Sequence, residues 1–269
     1  MGSAGKSNRY LQIITDKTFC GKICFKWRQQ VNKLISEVIN PMPGYIIHLT
    51  AANYFLNSLP FSHPLNQPKA KNAFLVGNLL PDTVKDKFHS HFRSPDTLQE
   101  IVQYPILQKF LNKYQGLLSD PSVQGYLFHL YTDYRFFTEY MPRIVRYTDS
   151  SGRETSKKDN IVWAEIQKTK KKIKVTDFFS EDYYYGDYTR MNTWLVVHYR
   201  LPVQLDTNVQ NPGIEEVCYS DISEILEELK SYLLMPPEAA DHLAVFNRKE
   251  LLDYIHFIAN PKELKKVID

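Results

Sequence analysis

A chain of 269 residues with 43% hydrophobic content can bury a full core and suits one large domain. Aromatics reach 13% and glycine stands at only 10 residues, a composition that excludes a loop-rich or disordered chain and favours packed helices. The formal charge of +3 is too slight to mark a nucleic-acid binder by itself, so nucleic acid is a permitted partner and not the favoured one.

Residues 1–41 read as an appendage, irregular at first and then periodic over 26–39 (Trp27, Val31, Leu34, Ile35, Val38) as one amphipathic helix. Cys20 and Cys24 lie in it; with Cys218 they make an odd number, which suits free thiols in a reducing compartment better than a disulfide framework. The run Asn40-Pro41-Met42-Pro43-Gly44 is a breaker, and the main domain is expected over 42–269. Helices follow over 45–59 and 70–80, separated by a loop with three prolines, and Pro81-Asp82 ends the second. Ser94-Pro95-Asp96 predicts a further helix start, with Ile101, Leu107, Phe110 and Leu111 as its inner face. Asp120-Pro121 opens a long helix to about residue 140, apolar on nearly every side and so buried.

From about 143 to 180 the pattern changes to a β-hairpin excursion, with a turn at Ser150-Ser151-Gly152 and strands at Ile161-Val162-Trp163 and Ile173-Lys174-Val175. Between Arg143 and Lys174 ten Lys/Arg face four acids, which reads as a solvated hairpin or as a patch that attracts an anionic substrate. Helix returns over 187–198 and 214–234 and in shorter pieces from Pro237 onward. The expected fold class is therefore all-α, with one small β-hairpin insertion. No stretch approaches the roughly 20 apolar residues of a membrane span, and the start lacks the apolar region of a secretory signal; a soluble, cytoplasmic protein is expected.

Chemistry concentrates in a few apolar settings. His129 and Asp133 stand four residues apart on the long helix, so both side chains lie on one face, where one cation can bridge them or they can pair with each other. His48 in Ile46-Ile47-His48-Leu49, Asp82 after Leu79-Leu80-Pro81 and His91 in Ser90-His91-Phe92 are set among comparable apolar neighbours. Buried polar groups need partners, and imidazole with carboxylate is a donor set that suits zinc and related divalent ions.

The ordered motifs Met42-Pro43-Gly44-Tyr45-Ile46-Ile47-His48, Gly77-Asn78-Leu79-Leu80-Pro81-Asp82, Ser90-His91-Phe92 and Gly125-Tyr126-Leu127-Phe128-His129-Leu130-Tyr131-Thr132-Asp133 together resemble the zinc-dependent phospholipase C family, which also includes single-strand-specific nucleases. The resemblance implies an all-helical fold around a zinc cluster. Asp82, His91, His129 and Asp133 would hold one zinc, and Asp133 would bridge to a second bound by His48. It implies hydrolysis of a phosphoester by a zinc-activated water. The substrate would be a phospholipid headgroup, a soluble phosphoester or a nucleotide, Asp82 would orient or deprotonate the water, and the basic hairpin or Arg93 would attract the substrate.

The chain departs from the secreted members of that family. It has no N-terminal Trp amine and no His-x-x-x-Glu pair after Asp133, so a third zinc lacks its ligands. Asp187 offers a carboxylate in compensation or serves as a helix N-cap, and His89 stands two residues from His91 as an alternative ligand. A non-catalytic metal-containing binding protein on the same scaffold is the competing expectation.

Overall fold

The computed structural model describes residues 44–268 except Tyr232. The expected helix over 26–39, the Cys20/Cys24 pair and the domain start at Met42 lie outside the described residues. The described part is mainly helical with one small antiparallel sheet.

Its centre is the crossing of two buried helices. Helix α1 (Tyr45–Ser58) is buried continuously from Ile46 to Asn53 and packs against α2 (Pro68–Leu79), which in turn crosses α5 (Pro121–Arg135). Two glycines make that crossing possible. A Cβ at Gly77 would lie 1.9 Å from the Ser122 carbonyl oxygen, and one at Gly125 would lie 1.9 Å from that of Phe74. Only a residue without a side chain lets the two backbones approach this closely. Helix α5 begins as its sequence predicts: Pro121 fills the first turn, and the Asp120 carboxylate accepts from the Ser122 and Val123 amides.

Short α3 (Lys87–Ser90) and α4 (Leu107–Tyr114) lie between α2 and α5. The single helix expected from Ser94 is interrupted: Ser94 caps one 3-10 turn, Pro95–Thr97, and the chain then runs irregularly to Leu107. Pro105 disfavours helical backbone at Tyr104, and the Ile101 amide bonds instead to the Ser156 carbonyl in the hairpin region.

After Arg135 the long helix widens into a π-turn, Phe136–Tyr140, before α6 (Met141–Ile144). Pro142 lacks the N–H that would bond the Thr138 carbonyl, and its ring crowds that oxygen. The excursion that follows has three strands, in the order β1 (Val145–Thr148), β2 (Trp163–Ile166) and β3 (Lys171–Lys174), all antiparallel. Sequence alternation located the second and third to within a few residues and missed the first.

Helices α7 (Val175–Phe178), α8 (Tyr184–Tyr199), α9 (Ile222–Ser231), α10 (Arg248–Ile258) and α11 (Pro261–Ile268) complete the described chain. The helix expected from residue 214 starts later, because the Asn211 side chain accepts from the Gly213 and Ile214 amides and fixes a turn there. Among the described residues no helix is long and apolar enough to cross a membrane.

Candidate metal centre

Five of the six residues singled out as metal ligands meet at the crossing of α1, α2 and α5. His48 comes from α1, Asp82 from the 3-10 turn Leu80–Asp82 after α2, His91 from the end of α3, and His129 and Asp133 from one face of α5. Asp82 is 5% exposed and the other four 0%.

Their donor atoms converge. His91 Nε2 lies 3.4 Å from Asp82 Oδ1, 3.4 Å from Asp133 Oδ2 and 3.2 Å from His129 Nε2. His129 Nε2 lies 3.7 Å from Asp133 Oδ2 and 3.9 Å from Asp82 Oδ2. His48 Nε2 is 3.2 Å from Asp133 Oδ1, and its ring stacks on that of His129 at 3.7 Å. Metal–donor bonds of about 2.0–2.2 Å around a tetrahedral ion set neighbouring donors about 3.4 Å apart. The measured separations bracket that value.

Hydrogen bonding at the far side of each ring decides where the protons are. His129 Nδ1 lies 2.8 Å from the Asn78 carbonyl, which can only accept, so Nδ1 carries the proton and Nε2 presents a lone pair. Ser90 Oγ donates its one proton to the Pro81 carbonyl at 2.8 Å and therefore accepts from His91 Nδ1 at 2.9 Å. His91 Nε2 thus presents a lone pair as well. Burial lowers the imidazolium pKa of His91 to about 4 and that of His129 to about 3, the latter helped by His48, so neither ring is charged at neutral pH.

The result is a buried space in which acceptors face acceptors. The two Nε2 atoms at 3.2 Å have no proton to share, and both Asp133 oxygens and both His48 nitrogens lack a hydrogen-bond partner. His48 Nε2 is near Asp133 Oδ1, but its approach is out of line for a hydrogen bond. A buried carboxylate in that position is costly by several kcal/mol unless a cation compensates it. Two overlapping groups, His48 with Asp82 and His129, and His91 with His129 and Asp133, can hold a metal ion. The rings of His91 and His129 also carry the outer support that metal-binding imidazoles need, an Nδ1–H bonded to a carbonyl or hydroxyl oxygen.

Asp82 is further held by Lys87, whose Nζ donates to its Oδ1 at 2.9 Å and to its carbonyl at 2.6 Å. Burial alone would raise the Asp82 carboxyl, yet Lys87, His129 and His91 together keep it well below the usual carboxylate range. Arg93, 5% exposed, adds positive charge: burial lowers its pKa, while the charges of Asp133, Asp82 and Asp86 oppose that shift. Phe92, just after His91, has a φ of 51°. A bulky residue in left-handed backbone stores strain, and strain of this kind gathers at functional sites.

Asp187 belongs to neither of these groups and is not the N-cap of its helix. Its Oδ1 accepts from the Ala244 amide and Arg190, and its Oδ2 from the amides of Val245 and Phe246. Both oxygens are committed, and the carboxylate ties α8 to the loop before α10. His89 is exposed and paired with Asp86, which leaves His91 as the histidine of the cluster. Sequence reasoning passed over the supporting roles of Ser90, Asn78 and Lys87; the first two stand inside the quoted motifs, and nothing but charge signals Lys87.

Fold and site together define a mainly helical protein with a buried His/Asp cluster able to hold a metal ion. No family model, curated protein or solved structure matches the chain.

Proposed function

We propose that the chain is a metal-dependent phosphoester hydrolase of the type its motifs resemble, with zinc held by His48, Asp82, His91, His129 and Asp133. The observation that carries this reading is the meeting of unprotonated imidazole nitrogens and carboxylate oxygens in a space closed to solvent. Neutral imidazole with carboxylate is a donor set that suits zinc. Asp133 turns Oδ2 toward His91 and His129 and Oδ1 toward His48, as a carboxylate shared by two ions would. One or two ions are expected, and the commitment of Asp187 to backbone amides removes it from a third site.

Zinc, when bound, supplies Lewis acidity toward a phosphoryl oxygen and makes water acidic near neutral pH. Asp82 is the catalytic residue of this reading. The Lys87 ammonium keeps it ionised, so it accepts a hydrogen bond from the attacking water and orients it; a carboxylate this acidic has little hold on the proton. Ser90 and Asn78 keep the rings of His91 and His129 in one tautomer. Lys87 and Arg93 offset the negative charge that a phosphoester brings. A phospholipid headgroup, a soluble phosphoester and a nucleotide all carry the required group.

The test is metal analysis of the purified chain, followed by a panel of phosphomonoesters, phosphodiesters and phospholipids. One or two zinc ions per chain and hydrolysis that disappears in His129→Ala are expected. The burial of all five side chains favours a second reading, a metal-containing binding protein without turnover. Stoichiometric metal with no hydrolysis across the panel would establish that reading and overturn the first.

A further inference from the structure

On the face of α5 turned away from His129 and Asp133, the structure leaves a half-open pocket of about 310 Å³. Its floor is Phe55 of α1, Phe74 of α2 and Leu127 of α5, and its walls are Leu111 of α4 with Leu264 and Ile268 of α11. Gln124 is the one polar side chain in the lining, and its amide nitrogen already donates to the Leu118 carbonyl at 2.8 Å. A pocket so lined offers water few hydrogen-bond partners and suits apolar molecules.

Helix α11 covers this space without filling it. Its apolar residues Leu264, Val267 and Ile268 share one face, yet none of its residues is fully buried. It is held at its start by Asn260, which accepts from the Lys262 and Glu263 amides, and by an ion pair of Glu263 with Arg135 at 3.8 Å. The other four helices of the lining belong to the packed core, so the cavity has a rigid floor and a lightly seated cover.

We propose that this cavity binds a single aliphatic chain, such as the tail of a fatty acid or fatty alcohol, beneath α11. It has about twice the volume that accommodates benzene in an engineered apolar cavity, which suits a chain on the order of ten carbons. With Gln124 the one polar side chain in the lining and no charged group there, recognition is by the hydrocarbon and not by the head group. The site is independent of the metal cluster and of the hydrolase reading.

Calorimetric titration with n-alkanols and n-alkanoates from hexyl to tetradecyl, each below its micellar concentration, tests this. Saturable one-to-one binding is expected, tightening about fourfold per added methylene until the cavity is full and then levelling off near decyl. Alcohols and carboxylates of equal length bind alike, and chelation of metal leaves the affinities unchanged. Leu264→Trp, on the half-buried face of α11, fills the cavity and weakens decanol binding at least tenfold while the far-ultraviolet circular dichroism is kept; Leu111→Phe does the same from the opposite wall. Absence of saturable binding, affinity that climbs through tetradecyl without a plateau, a requirement for the carboxylate, or indifference to both substitutions would overturn the proposal.

Discussion

Asp133→Asn separates a metal-holding cluster from an ordinary buried polar network by the sign of its effect. Without metal, Asp133 is a carboxylate with 0% exposure and no hydrogen-bond partner on either oxygen, facing lone pairs of His91 and His129. Replacing it with an amide of the same shape removes a buried charge that no hydrogen bond offsets and is expected to stabilise the chelated protein by about 1–3 kcal/mol. With metal the balance reverses. An ion at a hundredfold excess over its dissociation constant stabilises the wild type by about 2.7 kcal/mol, and the variant loses most of that because the carboxylate facing all three histidines is gone. The melting temperature moves about 2–4 °C per kcal/mol in a domain of this size, so both arms are readable in thermal melts with excess chelator and with excess zinc. The same shift, in sign and size, under both conditions would refute the claim that the cluster is built for a cation.

Three further outcomes follow from the geometry. Ser90→Ala takes away the acceptor of His91 Nδ1–H and frees the ring to change tautomer, so zinc affinity drops about 10–100-fold with every ligand still present, as competition with a chromophoric chelator would read. Asp187→Asn breaks a carboxylate that holds three backbone amides and costs about 3 kcal/mol in denaturant unfolding, with metal per folded chain unchanged; metal loss without loss of stability would make Asp187 a ligand after all. In the chelated protein, stability is full above pH 6.5 and declines as pH falls, because the unfolded chain takes protons near 6.5 that folded His91 refuses until about 4 and His129 until about 3. For His91 alone the loss approaches about 3 kcal/mol across that window, and a flat profile between pH 6.5 and 4.5 in chelator would show that the rings are not held neutral.

What the sequence disclosed of the site was the part that local geometry fixes. The spacing of His129 and Asp133 on one helix puts them on one face whatever surrounds them, and Asp82 and His91 stand in apolar settings that predict burial with partners. The supports were not readable, because they are backbone carbonyls and pairings across the fold. Nothing in a one-dimensional pattern says that the carbonyl of Asn78 faces a ring 51 residues away, or that Asp187 reaches the amides of residues 244–246. Most helices were legible from periodicity, and the misplaced ones trace to local chemistry: Pro105 interrupts one, and the Asn211 turn delays another. Strand β1 escaped because its four residues follow a helical run directly and borrow their partner from residues 163–166.

The close crossing of α2 and α5 ties core packing to the protonation of the site. Gly77 and Gly125 let the backbones meet, and that contact brings the Asn78 carbonyl within 2.8 Å of His129 Nδ1, while the Asn78 side chain leans toward the Gly125 carbonyl at 3.5 Å. Were the helices separated by the width of one methyl group, the Nδ1–H would lose its acceptor, and nothing would then hold the Nε2 lone pair toward Asp82 and Asp133. The glycines therefore act on the donor set at one remove, through the tautomer of a ring they do not touch. Gly77 and Gly125 stand in the same short motifs as Asp82 and His129, so the side chains of the cluster and the backbone approach that orients a ring within it come from neighbouring turns of chain.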